Sequence, residues 1–219
     1  MGYLRECWDF FREFRREYRN TGSLLPSSRF LGREMASRLA QPGDGRRILE
    51  AGPGTGAVTR WLLSNLRPHD HVDIVEINDR FISVLENRFT AEPAFRRYRS
   101  QVELKHAAVQ ELPGDNVYDF IISSLPLNNF PVDLVKTIFR AFERLLKPEG
   151  TLSYFEYAYI RQMKMPFVSR EERRRLATIG LLAKRYFRRG LLGRRLVLCN
   201  FPPAFVQHLH LKKPISPVR

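Results

Sequence analysis

Ile48-Leu49-Glu50-Ala51-Gly52-Pro53-Gly54-Thr55-Gly56 decides the architecture of this 219-residue chain. An apolar run of strand length feeds directly into a loop in which every second residue is glycine. Glycine lets the main chain turn sharply and lets a ligand approach it closely. The G-x-G-x-G spacing differs from the dinucleotide pattern G-x-G-x-x-G, and the Lys-Ser/Thr of a phosphate-cradling loop is missing. Pro53 also removes one N–H that a pyrophosphate would use. The loop therefore suits a nucleoside ligand carrying less negative charge.

Downstream, His71 to Ile77 alternates as a second strand, with Glu76 near its end, twenty residues after Gly56. A carboxylate at that place can accept both hydroxyls of a ribose. The remaining pattern alternates strands and helices. Helices are predicted from Phe30 to Ala40, from the glycine loop to about Leu66, and over Asp79–Phe89, with Asn78 or Asp79 as its cap. A helix from Pro131 to Leu146, stopped by Lys147-Pro148-Glu149-Gly150, and one over Glu171–Arg189 follow. Strands are predicted at Val102–Ala107, Val117–Leu125, Thr151–Ile160, Arg195–Asn200 and Phe205–Lys212. This order predicts an α/β fold: a Rossmann-like, seven-stranded, mostly parallel sheet with helices on both faces. The short Pro202-Pro203 connection makes the last strand antiparallel.

Hydrophobic residues make up 43% of the chain, enough for one α/β domain with a real core. The net charge of +14 points to a polyanionic partner, either nucleic acid or an anionic membrane. Cys7 and Cys199 stand in no metal-ligand or redox spacing, so no metal is expected. The stretch MGYLRECWDFFREF carries charges throughout, unlike a secretory leader, and no apolar run approaches the ~20 residues that span a bilayer.

ILEAGPGTG followed by VEIN resembles the class I methyltransferases, whose cofactor is S-adenosylmethionine. The resemblance implies that Gly52, Gly54 and Gly56 border the methionine part, that Glu76 holds the ribose, and that Glu50 and Thr55 lie close by. Ile77, Ala107, Ala108 and Ser123 complete the expected cofactor set. The family usually carries an acidic or polar residue after the third strand, beside the adenine. This chain instead reads Lys105-His106-Ala107-Ala108-Val109, so main-chain contacts are expected there.

The fourth strand runs into Ser123-Ser124-Leu125-Pro126-Leu127-Asn128-Asn129-Phe130-Pro131. Loops at the carboxyl ends of parallel strands face the ligand crevice. Pro126 keeps Leu125 extended, leaving the Ser124 and Leu125 carbonyls to hold the N–H groups of an amine. An alkyl amine has a pKa of about 10 and must shed a proton before it can attack. Tyr157, Glu156 and His106 are the candidate proton acceptors. The loop resembles that of the ribosomal RNA adenine dimethylases, which carry N-L-P-aromatic. It resembles more closely the soluble bacterial phospholipid N-methyltransferases, which carry S-x-L-P-L-x-N-F-P. The segment TGSLLPSSRFL (21–31) and NFPPAFV near the end extend that second resemblance, with Ser27 and Ser28 as expected cofactor contacts. Ser124, Leu125, Asn128 and Tyr157 are the expected catalytic set. The implied activity is N-methylation of phosphatidylethanolamine, and of its mono- and dimethyl derivatives, toward phosphatidylcholine. An RNA adenine N-methyltransferase, or a silent cofactor- and membrane-binding protein, are the competing readings.

Between Arg161 and Arg195 twelve lysines and arginines face only Glu171 and Glu172. Helical spacing places Leu176, Ile179, Ala183, Tyr186 and Phe187 on one stripe among them. Basic residues beside an apolar stripe suit an anionic lipid surface. Residues 3–19 form a second amphipathic pattern, with Trp8, Phe11 and Phe14 as candidate membrane contacts. The expected organisation is a docking and cofactor-covering segment over 1–45 and a methyltransferase domain over 46–219. The expected location is the cytoplasm, peripheral to the inner membrane face, with nucleic acid a disfavoured partner.

Overall fold

The computed structural model describes residues 27–158 and 169–211. The predicted helix over 3–19, and with it Trp8, Phe11 and Phe14, lies outside the described residues, as does the stretch 159–168. Seven strands form one sheet: β1 Arg47–Ala51, β2 His71–Glu76, β3 Val102–His106, β4 Tyr118–Ser123, β5 Leu146–Tyr157, β6 Leu191–Val197 and β7 Ala204–His210. Their order is β3-β2-β1-β4-β5-β7-β6. Strands β1 to β5 pair in parallel, and β7 runs antiparallel to both β5 and β6. The carboxyl end of β6 therefore lies on the same sheet edge as those of β1 to β5.

Helices α1 (Arg29–Ala36), α2 (Thr59–Leu63), α3 (Asp79–Ala91) and α4 (Pro93–Arg96) pack on one face. Helices α5 (Val132–Leu145) and α6 (Arg170–Gly190) pack on the other. Layers on both faces explain why every residue of β1 and β2 after the first is buried, Glu50, Asp73 and Glu76 included, rather than every second one. The Asn78 side chain accepts from the N–H groups of Arg80 and Phe81 and so starts α3, one of the two caps expected from the sequence.

Three segments differ from the sequence reading. The helix expected to begin at the glycine loop is helical only over Thr59–Leu63, because Gly52, Gly54 and Gly56 all have positive φ and cannot begin it. Lys147-Pro148-Glu149-Gly150 does not separate a helix from a strand; it forms the irregular start of β5, where the register to β4 shifts between Tyr118 and Phe120. A proline is tolerated at such an irregularity because no ladder bond is lost. The last two strands both begin earlier than expected, at Leu191 and Ala204.

The stripe on α6 also takes a different role. Leu176, Ile179, Ala183 and Tyr186 are buried, and the Tyr186 ring stacks on Phe139 at 4.5 Å between centroids. The stripe faces the core and is closed to lipid; the basic residues, with Leu181 among them, remain outward. Near its start, Arg175 bonds to main-chain carbonyls at the carboxyl edge of the sheet, and near its end Arg189 reaches Glu143 at the foot of α5. Helix α6 thus runs along the strands from one sheet edge to the other.

At the amino edge, Arg46 is the knot. Its guanidinium pairs with Asp70 and donates to the Leu39 carbonyl at 2.6 Å and the Asn65 carbonyl at 3.2 Å. Burial alone would raise the Asp70 carboxyl; the Arg46 guanidinium and the N–H groups of Arg67 and Arg46 outweigh it and hold the pKa below its ordinary value. Removing one partner of such a buried pair leaves an uncompensated charge. Asp70→Ala is expected to cost roughly 3–5 kcal/mol in urea unfolding at pH 7. The stabilisation from this carboxylate is full above its unfolded pKa near 3.9 and is lost as pH falls through the lower folded value. The difference between wild type and variant should shrink in that acid window.

Candidate cofactor and acceptor site

The glycine loop follows β1 at the carboxyl edge. Gly52 has φ +70°, and a Cβ placed on it would lie 2.6 Å from the Leu125 side chain. Glycine is required there both by the backbone and by the approach of the next loop. The Gly52 N–H donates to the Val75 carbonyl at 3.0 Å, and the Gly54 N–H to the Glu76 carboxylate at 3.2 Å. That carboxylate also accepts from the N–H groups of Ile77 at 2.9 Å and Asn78 at 3.0 Å. Glu76 therefore ties the glycine loop to the end of β2. Arg88 holds the other end of the loop by donating to the Thr55 carbonyl, while its guanidinium pairs with Glu92 at 2.8 Å.

Beneath the loop lies Glu50, fully buried, with neither carboxylate oxygen in hydrogen-bonding geometry with a partner. Burial raises its pKa from the ordinary value to about 8; the Thr59 hydroxyl tempers the rise and the Glu76 charge adds to it. Such a group is neutral in the empty protein at pH 7 and becomes a ready counter-ion when a cation approaches.

An apolar cleft of about 480 Å³ of empty space opens between the glycine loop, the ends of β2 and β3, and α5. Gly52, Glu76, Ile77, Ala107 and Ala108 line one side, and Leu125, Phe130, Leu134 and Ile138 the other. The Ala108 N–H is already given to Glu111 at 3.1 Å, and the Ala107 N–H to the Glu76 carbonyl at 3.2 Å.

The loop after β4 is held against the glycine loop. The Ser124 N–H donates to the Ala51 carbonyl at 2.9 Å. Pro126 has φ −79° and ψ 67°, an inverse γ-turn in which the Leu127 N–H donates to the Leu125 carbonyl at 2.9 Å. The Leu125 carbonyl is thus partly committed to its own turn, a correction to the expectation that it stands open for an amine. The Ser124 hydroxyl and the Asn128 side-chain oxygen are buried with no partner. Unsatisfied buried acceptors are rare and call for an explanation.

Of the expected cofactor residues, Gly52, Glu76, Ile77, Ala107 and Ala108 line the cleft. Gly54, Thr55, Gly56 and Glu50 form or underlie the loop. Ser123 is buried, its hydroxyl accepting from the Leu125 N–H at 3.4 Å. Ser28 instead caps α1, its side chain accepting from the Leu31 N–H, while its own N–H donates to the Asn200 side chain at 2.9 Å. Ser27 precedes that cap, half-buried. Tyr157 is not brought to the cleft wall; it packs edge-on against Phe155, with α1 and the core of the opposite face. His106 contacts the Ile77 carbonyl at 3.0 Å and Asp79 at 3.1 Å. It stands at the end of β3, three strand spacings or about 14 Å from β4. Glu156 shares the β5 face of Tyr154, which belongs to the core under α5.

Sequence reasoning missed Arg175. It donates from one guanidinium to the Phe130 and Asn128 carbonyls, the latter at 2.9 Å, while Glu172 orients it at 2.7 Å. Nothing in the sequence separates this arginine from its basic neighbours. Leu134 and Ile138 were missed as cleft residues, though their four-residue spacing marks one face of α5. Away from the cleft, His71, Asp73 and Glu103 bring ligand atoms within 4.8 Å of one another; Asp73 there already holds Arg47, Lys105 and the Tyr118 hydroxyl.

Residues 48–150 match the family described as a methyltransferase domain. The ornithine lipid N-methyltransferase of Singulisphaera acidiphila is 27% identical over 150 residues, 68% of this chain and 77% of that protein. The ribosomal RNA small subunit methyltransferase A of Dehalococcoides mccartyi is 32% identical over 127 residues, 58% of this chain but only 40% of that protein. Among solved structures, the O-methyltransferase of Bacillus cereus in complex with S-adenosylhomocysteine superposes with TM-score 0.63 at 16% identity, covering 92% of this chain and 90% of that one. The N-methyltransferase NodS of Bradyrhizobium japonicum, also with S-adenosylhomocysteine, gives 0.58 at 16% identity, covering 84% and 88%. The sheet order, the glycine-lined cleft and these matches give the chain the Rossmann-like fold of the methyltransferases, with S-adenosylmethionine as the cofactor; the stretch similar to the methyltransferase domain family is residues 48–150.

Proposed function

We propose that this chain transfers the methyl group of S-adenosylmethionine to the amine of a phospholipid headgroup, phosphatidylethanolamine, in steps leading toward phosphatidylcholine at an anionic membrane surface. One observation carries the reading. The loop pressed against Gly52 offers buried, unpartnered oxygens at Ser124 and Asn128 and no exposed aromatic; Leu127 is buried and Phe130 is 2% exposed. Oxygens suit an amine's N–H groups, whereas a nucleobase needs a stacking platform. The likeness to an ornithine lipid N-methyltransferase supports a lipid acceptor.

The residues present fit the cofactor. Glu76 would hold the ribose, the apolar wall at Ile77, Ala107 and Ala108 would take the flat base, and Glu50 beneath the loop would answer the cationic amino-acid end. When bound, the cofactor supplies a methyl group activated on a positively charged sulfur. The chain's own part is positioning. The Ser124 hydroxyl, the Asn128 side-chain oxygen and the Ser124 carbonyl hold the amine's N–H groups and fix the direction of its lone pair. The amine would take that methyl group and, now an ammonium, would shed a proton. Among the three candidate acceptors, Glu156 takes that proton, because it shares the cleft's side of β5, whereas Tyr157 and His106 are placed away. Orientation of this kind supplies a large part of such rate enhancements. Trp8, Phe11 and Phe14 remain candidate membrane contacts of the N-terminal segment.

Labelled cofactor with vesicles of phosphatidylethanolamine and phosphatidylglycerol should give labelled lipid, resolved by headgroup. Label in ribosomal RNA instead would replace this reading with RNA adenine methylation. No label in either, with S-adenosylhomocysteine still bound, would make the chain a silent binder. Calorimetry tests Glu50. Near pH 7 it is protonated in the empty protein, so a cation that ionises it releases a proton, and affinity for S-adenosylhomocysteine should strengthen as pH rises toward 8. The binding enthalpy of wild type should then vary with the ionisation enthalpy of the buffer. Glu50→Gln should lose that variation and bind about 10- to 100-fold more weakly, the worth of a charge-assisted hydrogen bond. Arg175→Gln should lower kcat roughly tenfold or more while leaving cofactor affinity unchanged, since it frees only the loop that aims the amine. An unchanged kcat would remove Arg175 from the positioning set.

A further inference from the structure

The turn between β6 and β7 carries a second feature of the carboxyl edge. Leu198 and Phe201 are 70% and 72% exposed, the most exposed large apolar side chains among the described residues. Because β6 runs parallel to β5, this turn projects from the same sheet edge as the glycine loop and the acceptor loop. It is firmly seated. Asn200, between the two, is buried; its side chain accepts from the Ser28 N–H at 2.9 Å and donates to the Pro202 carbonyl at 2.7 Å. The Ala158 N–H, one residue beyond β5, donates to the Pro203 carbonyl at 2.7 Å. With Asn200 pinned inward, Leu198 and Phe201 are held outward. Two residues beyond Ser28, Phe30 is also exposed, beside Arg29.

The charges around this tip are mostly positive, the acid beside Arg195 being Glu34 at 3.7 Å. Neither 27–33 nor 191–211 contains an acidic residue. Arg195 is 76% exposed and lies three residues before Leu198, about 10 Å back along the strand. That spacing suits a membrane. Interfacial elements bury their apolar side chains about 5–10 Å deep, with cations at the level of the headgroup phosphates.

We propose that the β6–β7 tip, Leu198 and Phe201 with Phe30 beside them, is a wedge that enters an anionic phospholipid bilayer and sets the acceptor loop at headgroup depth. The proposal rests on the lipid reading above. It assigns the membrane plane to the carboxyl edge rather than to the length of α6. Lys184, Arg185 and Arg188 lie 14 to 18 residues along that helix, about 20 Å or more from its start. With the edge on the bilayer they stand beyond the ~8 Å Debye length at physiological salt. Leu181 is 65% exposed but lies mid-helix, off the wedge.

Cys199 is exposed within the turn and reports directly on it. The full chain carrying Cys7→Ser and an environment-sensitive nitrobenzoxadiazole group on Cys199 is mixed with vesicles of phosphatidylethanolamine and phosphatidylglycerol. Emission should shift to the blue and be quenched by lipids bearing a quencher in the acyl chain. Unchanged emission on vesicles that sediment the protein overturns the wedge while leaving the lipid reading intact. The double variant Leu198→Ser/Phe201→Ser should sediment with these vesicles at least tenfold more weakly, with unchanged affinity for S-adenosylhomocysteine showing that the fold survives. Leu181→Ser should bind vesicles as wild type does; an equal loss there, or none in the double variant, overturns the proposal. Insertion of the label without methyl transfer to any lipid upholds the wedge and sinks the lipid acceptor.

Discussion

Gly52 and Leu125 touch where no side chain could stand between them. This contact joins two loops that arise from adjacent parallel strands, β1 and β4, and it fixes the distance between whatever each loop holds. The parallel sheet makes it possible: both strands end at the same edge, and their register brings Ala51 opposite Ser123. A methyl donor on one loop and an acceptor on the other then need no moving part to meet. A side chain at position 52 would push the loops apart by the width of a methyl group, and displacements of about 1 Å already cost such reactions heavily.

Two carboxylates sit on the same face beneath and beside this contact, and their surroundings differ. Glu76 is wrapped by three main-chain N–H groups. Glu50, one strand over, has no hydrogen-bond partner, and burial pushes its pKa to about 8. The first is an anchor whose charge is stabilised whether or not a ligand is present. The second has only the nearby Thr59 hydroxyl, outside good hydrogen-bonding geometry, and carries its charge readily only when a cation offsets the burial. Unlike environments for like groups are how a fold assigns them separate tasks.

The sequence exposed the parts of this arrangement that depend on backbone chemistry. The glycine loop, Glu76 at the end of β2 and the Asn78 cap follow from local pattern, and β1 ends at Ala51 where the apolar run meets the glycines. The alternation of strands and helices was enough for the sheet class. What stayed hidden depends on tertiary packing. The stripe on α6 has the periodicity of any buried helix face, so sequence could not tell core from lipid; the Phe139–Tyr186 stack decides it. Arg175 is one of several arginines in its helix, and only the position of the 128–130 loop singles it out. Tyr157 and Glu156 are neighbours whose assignment turns on which face of β5 each takes, and strand parity relative to a core is fixed by packing. The Leu125 carbonyl was expected to be open because Pro126 restricts its neighbour; the inverse γ-turn that consumes it depends on ψ of Pro126 itself, which proline does not fix.

The charge distribution gains meaning once the sheet edges are told apart. A chain of net +14 is attracted to any polyanion, but attraction alone sets no orientation. Helix α6 runs perpendicular to the carboxyl edge, so most of its cations cannot touch a flat surface on which that edge rests. They act at longer range, raising the encounter rate and falling away with salt. Orientation must come from short-range apolar contact, and the exposed leucine and phenylalanine of the β6–β7 turn stand at the edge where the two reactive loops open. An acceptor embedded in a membrane can reach the Gly52–Leu125 contact only from that side. On the proposed lipid reading, the same topology that brings the two loops together dictates which edge of the protein meets the membrane.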